Sequence, residues 1–209
     1  MTNKTPIRIA LAGDSTVADY PGDDPMRGWG QILPRYFNTD DVIIGNFAAG
    51  GRSTKTFITE GRWASVLAFK PDWVLIQFGH NDSHEPHLPE STDADTEYAA
   101  LLRRYVDDTH EAAATPILVT PMHRARWNET GVHLTQELAP YADAMRRVAA
   151  EKGVALIDLY ALSEAAFEEM GEPALSGLLA EPLNDRTHFN AAGAELFAGM
   201  VASQFMRIA

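Results

Sequence analysis

The sequence predicts an α/β protein, a three-layer α/β/α sandwich around a five-stranded parallel sheet. Three observations predict it. Five short apolar runs rich in β-branched residues recur along the chain. They are near-continuous rather than alternating, which suits strands buried on both faces. The segments between and after them carry helical periodicity, and a strand–helix alternation of this kind builds βαβ units into a doubly wound sheet.

The strands are expected at residues 7–12 (Ile-Arg-Ile-Ala-Leu-Ala), 42–47, 73–78, 117–120 and 154–159. Between the third and fourth, Tyr98, Leu101, Leu102, Tyr105 and Val106 fall at i, i+3, i+4, i+7 and i+8. Tyr141, Ala144, Met145 and Val148 repeat that pattern before Gly153, a helix stop. Ala194, Phe197 and Val201 mark a last helix opening near Asn190. Residues 82–95, polar and Pro-containing, are expected as a surface loop beside the site, and residues 171–187 as an irregular lead into the last helix. With no internal repeat, low-complexity tract or linker, the 209 residues are expected to form one domain.

Composition narrows the function. The absence of cysteine excludes disulfides, thiolate metal sites and a cysteine nucleophile. A net charge of −12 disfavours nucleic acid and anionic membrane surfaces as partners. No apolar run approaches the ~20 residues of a membrane span. The opening residues lack the apolar stretch of a secretory signal, so a cytoplasmic location is expected for the chain as written; removal of a signal would make it secreted.

In open parallel sheets, sites form at the carboxyl ends of the strands. After the first strand comes Gly13-Asp14-Ser15-Thr16, where Ser15 is expected at a helix start with its hydroxyl exposed. Such a serine can be a nucleophile, or the block can simply cap a helix. After the second strand, Gly50-Gly51-Arg52-Ser53 offers the Gly51 N–H as an oxyanion donor, or merely a turn of positive φ. After the third, Gly79-His80-Asn81-Asp82 places the Asn81 amide likewise, or forms an Asx-turn. His80 and Asp82 lack a clear third ligand, so no metal is expected. Before the last helix, Asp185-Arg186-Thr187-His188 puts a carboxylate three residues ahead of an imidazole. Asp185 can fold back onto Nδ1, leaving Nε2 to take a proton from Ser15.

Each block alone is common. Together they supply a nucleophile (Ser15), a base (His188), an orienting acid (Asp185) and three oxyanion donors (Ser15 N–H, Gly51 N–H and the Asn81 amide), the constellation for acyl transfer.

These blocks resemble those of SGNH (GDSL-like) hydrolases, and the fuller strings resemble the rhamnogalacturonan acetylesterase branch. Gly13 to Thr16 matches its Gly-Asp-Ser-Thr. Gly51-Arg52-Ser53 matches its Ala-Gly-Arg-Ser with Gly50 in the alanine's place. Gln77 to Asp82, Thr120-Pro121-Met122-His123-Arg124 and Asp185 to Phe189 match three further segments. The resemblance implies a flavodoxin-like sheet, a serine esterase needing neither metal nor cofactor, and an acetylated plant-polysaccharide substrate, with rhamnogalacturonan and pectin foremost. Xylan or small acetyl-sugars are alternatives.

Substrate contacts are sought in Arg52, His80, His123 and Arg124. Arg27, Lys55, Arg126 and Arg186 also lie in or beside strand-end segments. Converging, these cations would form a basic patch for galacturonate; otherwise they pair with surface carboxylates. Trp29, Trp63 and Trp127 could stack on sugars or serve as packing. Two rival functions remain. One is a lipid esterase or thioesterase, which needs an apolar acyl channel. The other is a non-catalytic phosphate or nucleotide module at the Ser15 turn, which leaves Asp185 and His188 without a role.

Overall fold

The computed structural model describes residues 5–128, 134–181 and 184–209. Five strands, β1 (Ile7–Gly13), β2 (Val42–Asn46), β3 (Trp73–Gln77), β4 (Thr115–Val119) and β5 (Ala155–Ile157), form one sheet. Every pairing is parallel, in the order β2-β1-β3-β4-β5. This is the flavodoxin-like order, whose switch point lies between the carboxyl ends of β1 and β3.

The period-2 alternation of strand side chains divides the interior into two layers. Ile9, Leu11, Leu75, Ile117, Val119 and Ile157 face one way. They pack on α1 (Trp29–Ile32), α6 (Leu159–Ser176) and α7 (Ala191–Ile208). Ala10, Ala12, Val74, Ile76 and Leu118 face the other. There they meet α2 (Thr54–Thr59), α3 (Arg62–Ala68), α4 (Ala99–Glu111) and α5 (Ala139–Lys152). The three-layer expectation holds, because strands apolar on both sides need a helical cover on each.

Local chemistry sets the helix ends. α5 carries Pro140 in its first turn and stops at Gly153, whose φ of 64° is left-handed. Asn190 opens α7 by accepting from the N–H groups of Ala192 and Gly193.

Several boundaries differ from expectation. Asp158, read as strand, accepts from Ala161 N–H and caps α6, so β5 ends at Ile157. The helix then continues into the stretch read as irregular. Gly171 breaks the helical backbone (φ 72°, ψ 166°), yet Pro173 suits the first turn of a second helical segment, which runs to Ser176. Residues 182–183 of that stretch, like residues 1–4, lie outside the described residues. In the stretch read as a surface loop, Asp82 and Thr92 are buried, and a π-turn begins at Ala94. Nor does Ser15 start a helix: it occupies a single tight turn, and the first α-helix begins at Trp29. Trp29 and Trp63 are buried packing residues, their indole N–H groups donating to Gln77 and Asp108. Among the described residues, no helix is long and apolar enough to cross a membrane.

Gly79, just beyond β3, has a φ of 140°, and a Cβ there would meet Pro121 Cγ at 2.7 Å. Gly79→Ala is therefore expected to lower the unfolding free energy by about 1–3 kcal/mol, as strained non-glycine backbone does. Urea titration measures this, and an unchanged midpoint would refute it.

Candidate active site

The Ser15 turn is held by its neighbours. Asp14 Oδ1 accepts from the N–H and the hydroxyl of Thr16 at 2.9 and 2.7 Å. The Asp14 carbonyl accepts from Val17 and Ala18 N–H. Tyr20 donates its hydroxyl to the Ser15 carbonyl at 2.9 Å. Asp14 is fully buried. Burial pushes its pKa up, but the charge and hydrogen bond of His80, 3.3 Å away, together with the Thr16 donors, pull it below the ordinary carboxylate value.

Opposite, Asp185 folds back on its own loop. Oδ1 accepts from the N–H groups of Thr187 and His188, and Oδ2 lies 2.5 Å from His188 Nδ1. His188 Nε2 lies 2.7 Å from Ser15 Oγ, across 173 positions of sequence. Burial raises the Asp185 pKa, but the His188 bond and the backbone N–H groups outweigh it, and the carboxyl is held low. An ionised Asp185 places the imidazole proton on Nδ1, so Nε2 faces the serine hydroxyl as an acceptor.

Two further loops close over Ser15. Gly51 adopts a φ of 77°, and a Cβ on Gly50 would sit 3.7 Å from Ser15 Cβ. Ser53 caps α2 through a capping box with Thr56. Asn81 donates to the Arg52 carbonyl at 3.0 Å. Asp82 ties the same loops from beneath, accepting from Thr54 N–H and Oγ1 and from Thr92 Oγ1.

The four loops enclose a cavity of about 370 Å³ that reaches Ser15, Gly51, Asn81 and His188. Such a site can activate a hydroxyl and surround a developing oxyanion. His80 and Arg124 also line it. Both ring nitrogens of His80 face protein acceptors, Asp14 and the Met122 carbonyl. Two expected substrate contacts are not brought to this cavity. Arg52 pairs with Glu60 and the Gly50 carbonyl. His123 is buried against Tyr160, with Glu164 3.7 Å away.

Among the described residues, the cations beside the strand ends do not form a free basic patch either. Lys55 pairs with Glu97, Arg124 and Arg126 with Glu137, and Arg186 with Glu172. Arg27 donates to the carbonyls of Gly22, Asp24 and Met26. Tyr20, Met26, His84 and Thr187 also line the cavity. Of these, Thr187 lies inside the Asp-x-x-His spacing and His84 in the loop expected beside the site. Among the described residues, no group of three or more His, Asp or Glu is placed to hold a metal.

Burial raises the Asp82 pKa to about 7 despite the threonine donors. Between an unfolded value of about 4 and that value, the folded state holds the extra proton, so the group's contribution to stability falls as pH rises. Asp82→Asn keeps the shape and removes the charge. Its stability relative to the parent is expected to improve from pH 5 to pH 8 in urea midpoints, and a difference independent of pH would contradict this.

The GDSL-like lipase/acylhydrolase family matches residues 11–196 of the chain. A Bacillus subtilis protein named probable rhamnogalacturonan acetylesterase YesY is 40% identical over 198 residues, 93% of this chain and 90% of that protein. The rhamnogalacturonan acetylesterase RhgT of the same organism is 36% identical over 213 residues, 95% of this chain and 89% of that one. The crystal structure of B. subtilis YxiM superposes with a TM-score of 0.84 at 30% identity, covering 97% of this chain and 57% of that one. On these matches and on the sheet described above, the chain belongs to the GDSL-like lipase/acylhydrolase family and is a carboxylic ester hydrolase.

Proposed function

We propose that this protein removes acetyl groups from acetylated carbohydrate, with rhamnogalacturonan or its oligosaccharides as substrate, through a serine-bound acetyl intermediate. One observation carries the chemistry: the unbroken path from Asp185 Oδ2 to His188 Nδ1 (2.5 Å) and from His188 Nε2 to Ser15 Oγ (2.7 Å). The relatives YesY and RhgT support the substrate class.

In this mechanism Ser15 Oγ attacks the ester carbonyl while its proton passes to His188 Nε2. Asp185, held ionised, stabilises the imidazolium. The tetrahedral oxyanion is received by Ser15 N–H, Gly51 N–H and the Asn81 amide. The C–O bond to the sugar breaks as His188 returns the proton to the leaving hydroxyl. Water, deprotonated by the same imidazole, then attacks the acetyl-serine and releases acetate. No other group is needed to balance these steps. Of the residues that line the cavity, only Met26 and Tyr20 carry large apolar side chains, which suits a two-carbon acyl group on a polar alcohol better than a fatty chain.

Ser15→Ala is expected to reduce kcat for acetate release by roughly 10⁴–10⁶-fold, the range found when a serine nucleophile is removed, with an unchanged melting temperature. Acetate released from acetylated rhamnogalacturonan, acetylated xylan and acetyl-sugars measures this. Retained turnover would remove Ser15 from the mechanism, and faster release from xylan would move the substrate. Asn81→Ala is expected to cost about 10²–10³-fold in kcat, the loss typical of one oxyanion donor, and an effect confined to KM would argue against that role.

A further inference from the structure

We infer that Arg124 is a positioning residue, whose buried guanidinium fixes the loop carrying His188 against the loop carrying Asn81 and so sets the approach of His188 to Ser15. The inference rests on the proposed roles of Ser15 and His188. It concerns the end of β4, which supplies no member of the proposed catalytic set.

The Arg124 side chain is only 10% exposed. Nη1 donates to Thr187 Oγ1 at 2.7 Å, immediately before His188. Nη2 donates to the His80 carbonyl at 2.8 Å, immediately before Asn81. These acceptors lie 63 and 44 positions away in sequence, so one planar group closes two long gaps. The path runs on to the nucleophile's turn. His80 Nδ1 faces Asp14 Oδ2, and Asp14 Oδ1 holds the N–H of Thr16.

A guanidinium suits this place for two reasons. Its donors form a rigid fork that can hold two acceptors at a fixed separation, whereas an ammonium is a point charge on a flexible stem. Its charge is balanced from behind by Glu137, with Oε1 3.0 Å from Nε. Arg124 lines the cavity, but both terminal nitrogens donate to protein acceptors. It therefore acts through the loops it joins.

The test uses Arg124→Ala, Arg124→Lys, Thr187→Val and the Ala/Val double variant, with p-nitrophenyl acetate as substrate. Arg124→Ala is expected to lower kcat on the order of 10–10²-fold, the cost of misplacing reacting groups by about an ångström, while KM stays within about twofold. The rate at which a serine-reactive phosphonate labels Ser15 should fall in parallel. Added guanidinium should restore part of the rate to Arg124→Ala, whereas Arg124→Lys should remain well below the parent. Thr187→Val removes one acceptor at nearly constant volume, and the double variant should be no slower than Arg124→Ala alone, since both changes break one link.

A loss confined to KM, additive effects in the double variant, or parental kcat in Arg124→Lys would each overturn the inference. Should Arg124→Ala fail to fold, Thr187→Val decides alone: a reduced kcat at parental melting temperature supports the link, and an unchanged kcat overturns it. Ser15→Ala in the same assay keeps the two questions apart. Activity retained there defeats the assignment of the nucleophile itself, whatever the Arg124 variants do.

Discussion

Five parallel strands buried on both faces impose one constraint from which the rest follows: every strand delivers its following loop to the same edge of the sheet. The ladder satisfies the backbone polar groups inside, and the helices cover both faces of the sheet mainly with apolar side chains, Gln77 being a buried exception bonded to Trp29 and Thr16. The cavity that reaches Ser15 and His188 lies at the carboxyl edge. The loops there are far apart in sequence, and none alone brings together a hydroxyl, an imidazole and oxyanion donors.

What joins the loops is a small set of buried polar links. Asp14 connects the Ser15 turn to His80, Asp82 connects the loops after β2 and β3, and Arg124 connects the loop after β3 to the segment between α6 and α7. Burying such groups is costly unless each finds a partner. Asp14 has His80 and the two donors of Thr16, Asp82 has Thr54 and Thr92, and Arg124 has Glu137. Their opposite pKa responses follow from the same balance. Asp14 has an imidazole to oppose desolvation and is held low, whereas Asp82 has hydroxyl and amide donors only and is pushed up. The residues flanking Ser15, Asn81 and His188 within each motif are thus the fastenings of the site. This accounts for chemistry that arrives as strings such as Gly-Asp-Ser-Thr and not as single residues.

Charge tells a related story. The chain carries a net −12, and most strand-end cations are drawn into local ion pairs rather than into a free patch. Apart from that of the buried Arg124, these pairs are partly exposed and contribute little stability. Under the proposed function, an acidic polymer would meet cations that already have carboxylate partners. Binding of such a substrate would then draw on neutral hydrogen bonds and on displacement of those carboxylates.

Local patterning was enough to read the architecture. β-branched apolar runs marked all five strands within about two residues, and the patterns at Tyr98, Tyr141 and Ala194 marked three of the helices, because period and burial are properties of neighbouring residues. The short helices α1 to α3 and the long α6 are not legible locally, and at Ser15 a tight turn stands where a helix start is expected; capping by Asp158 and the threonine bonds of Asp14 override weak local preference there. The residue types of the site were equally legible as motifs. Their meeting was not: the 2.7 Å between Ser15 Oγ and His188 Nε2 spans 173 positions. The same holds for the fates of Arg52, His123 and Arg124. Each is a cation or imidazole beside a strand end in the sequence, and only the folded chain determines which acceptor lies within reach. Periodicity is encoded locally, whereas partnership between distant loops is decided by how the helical layers and buried polar links bring them together.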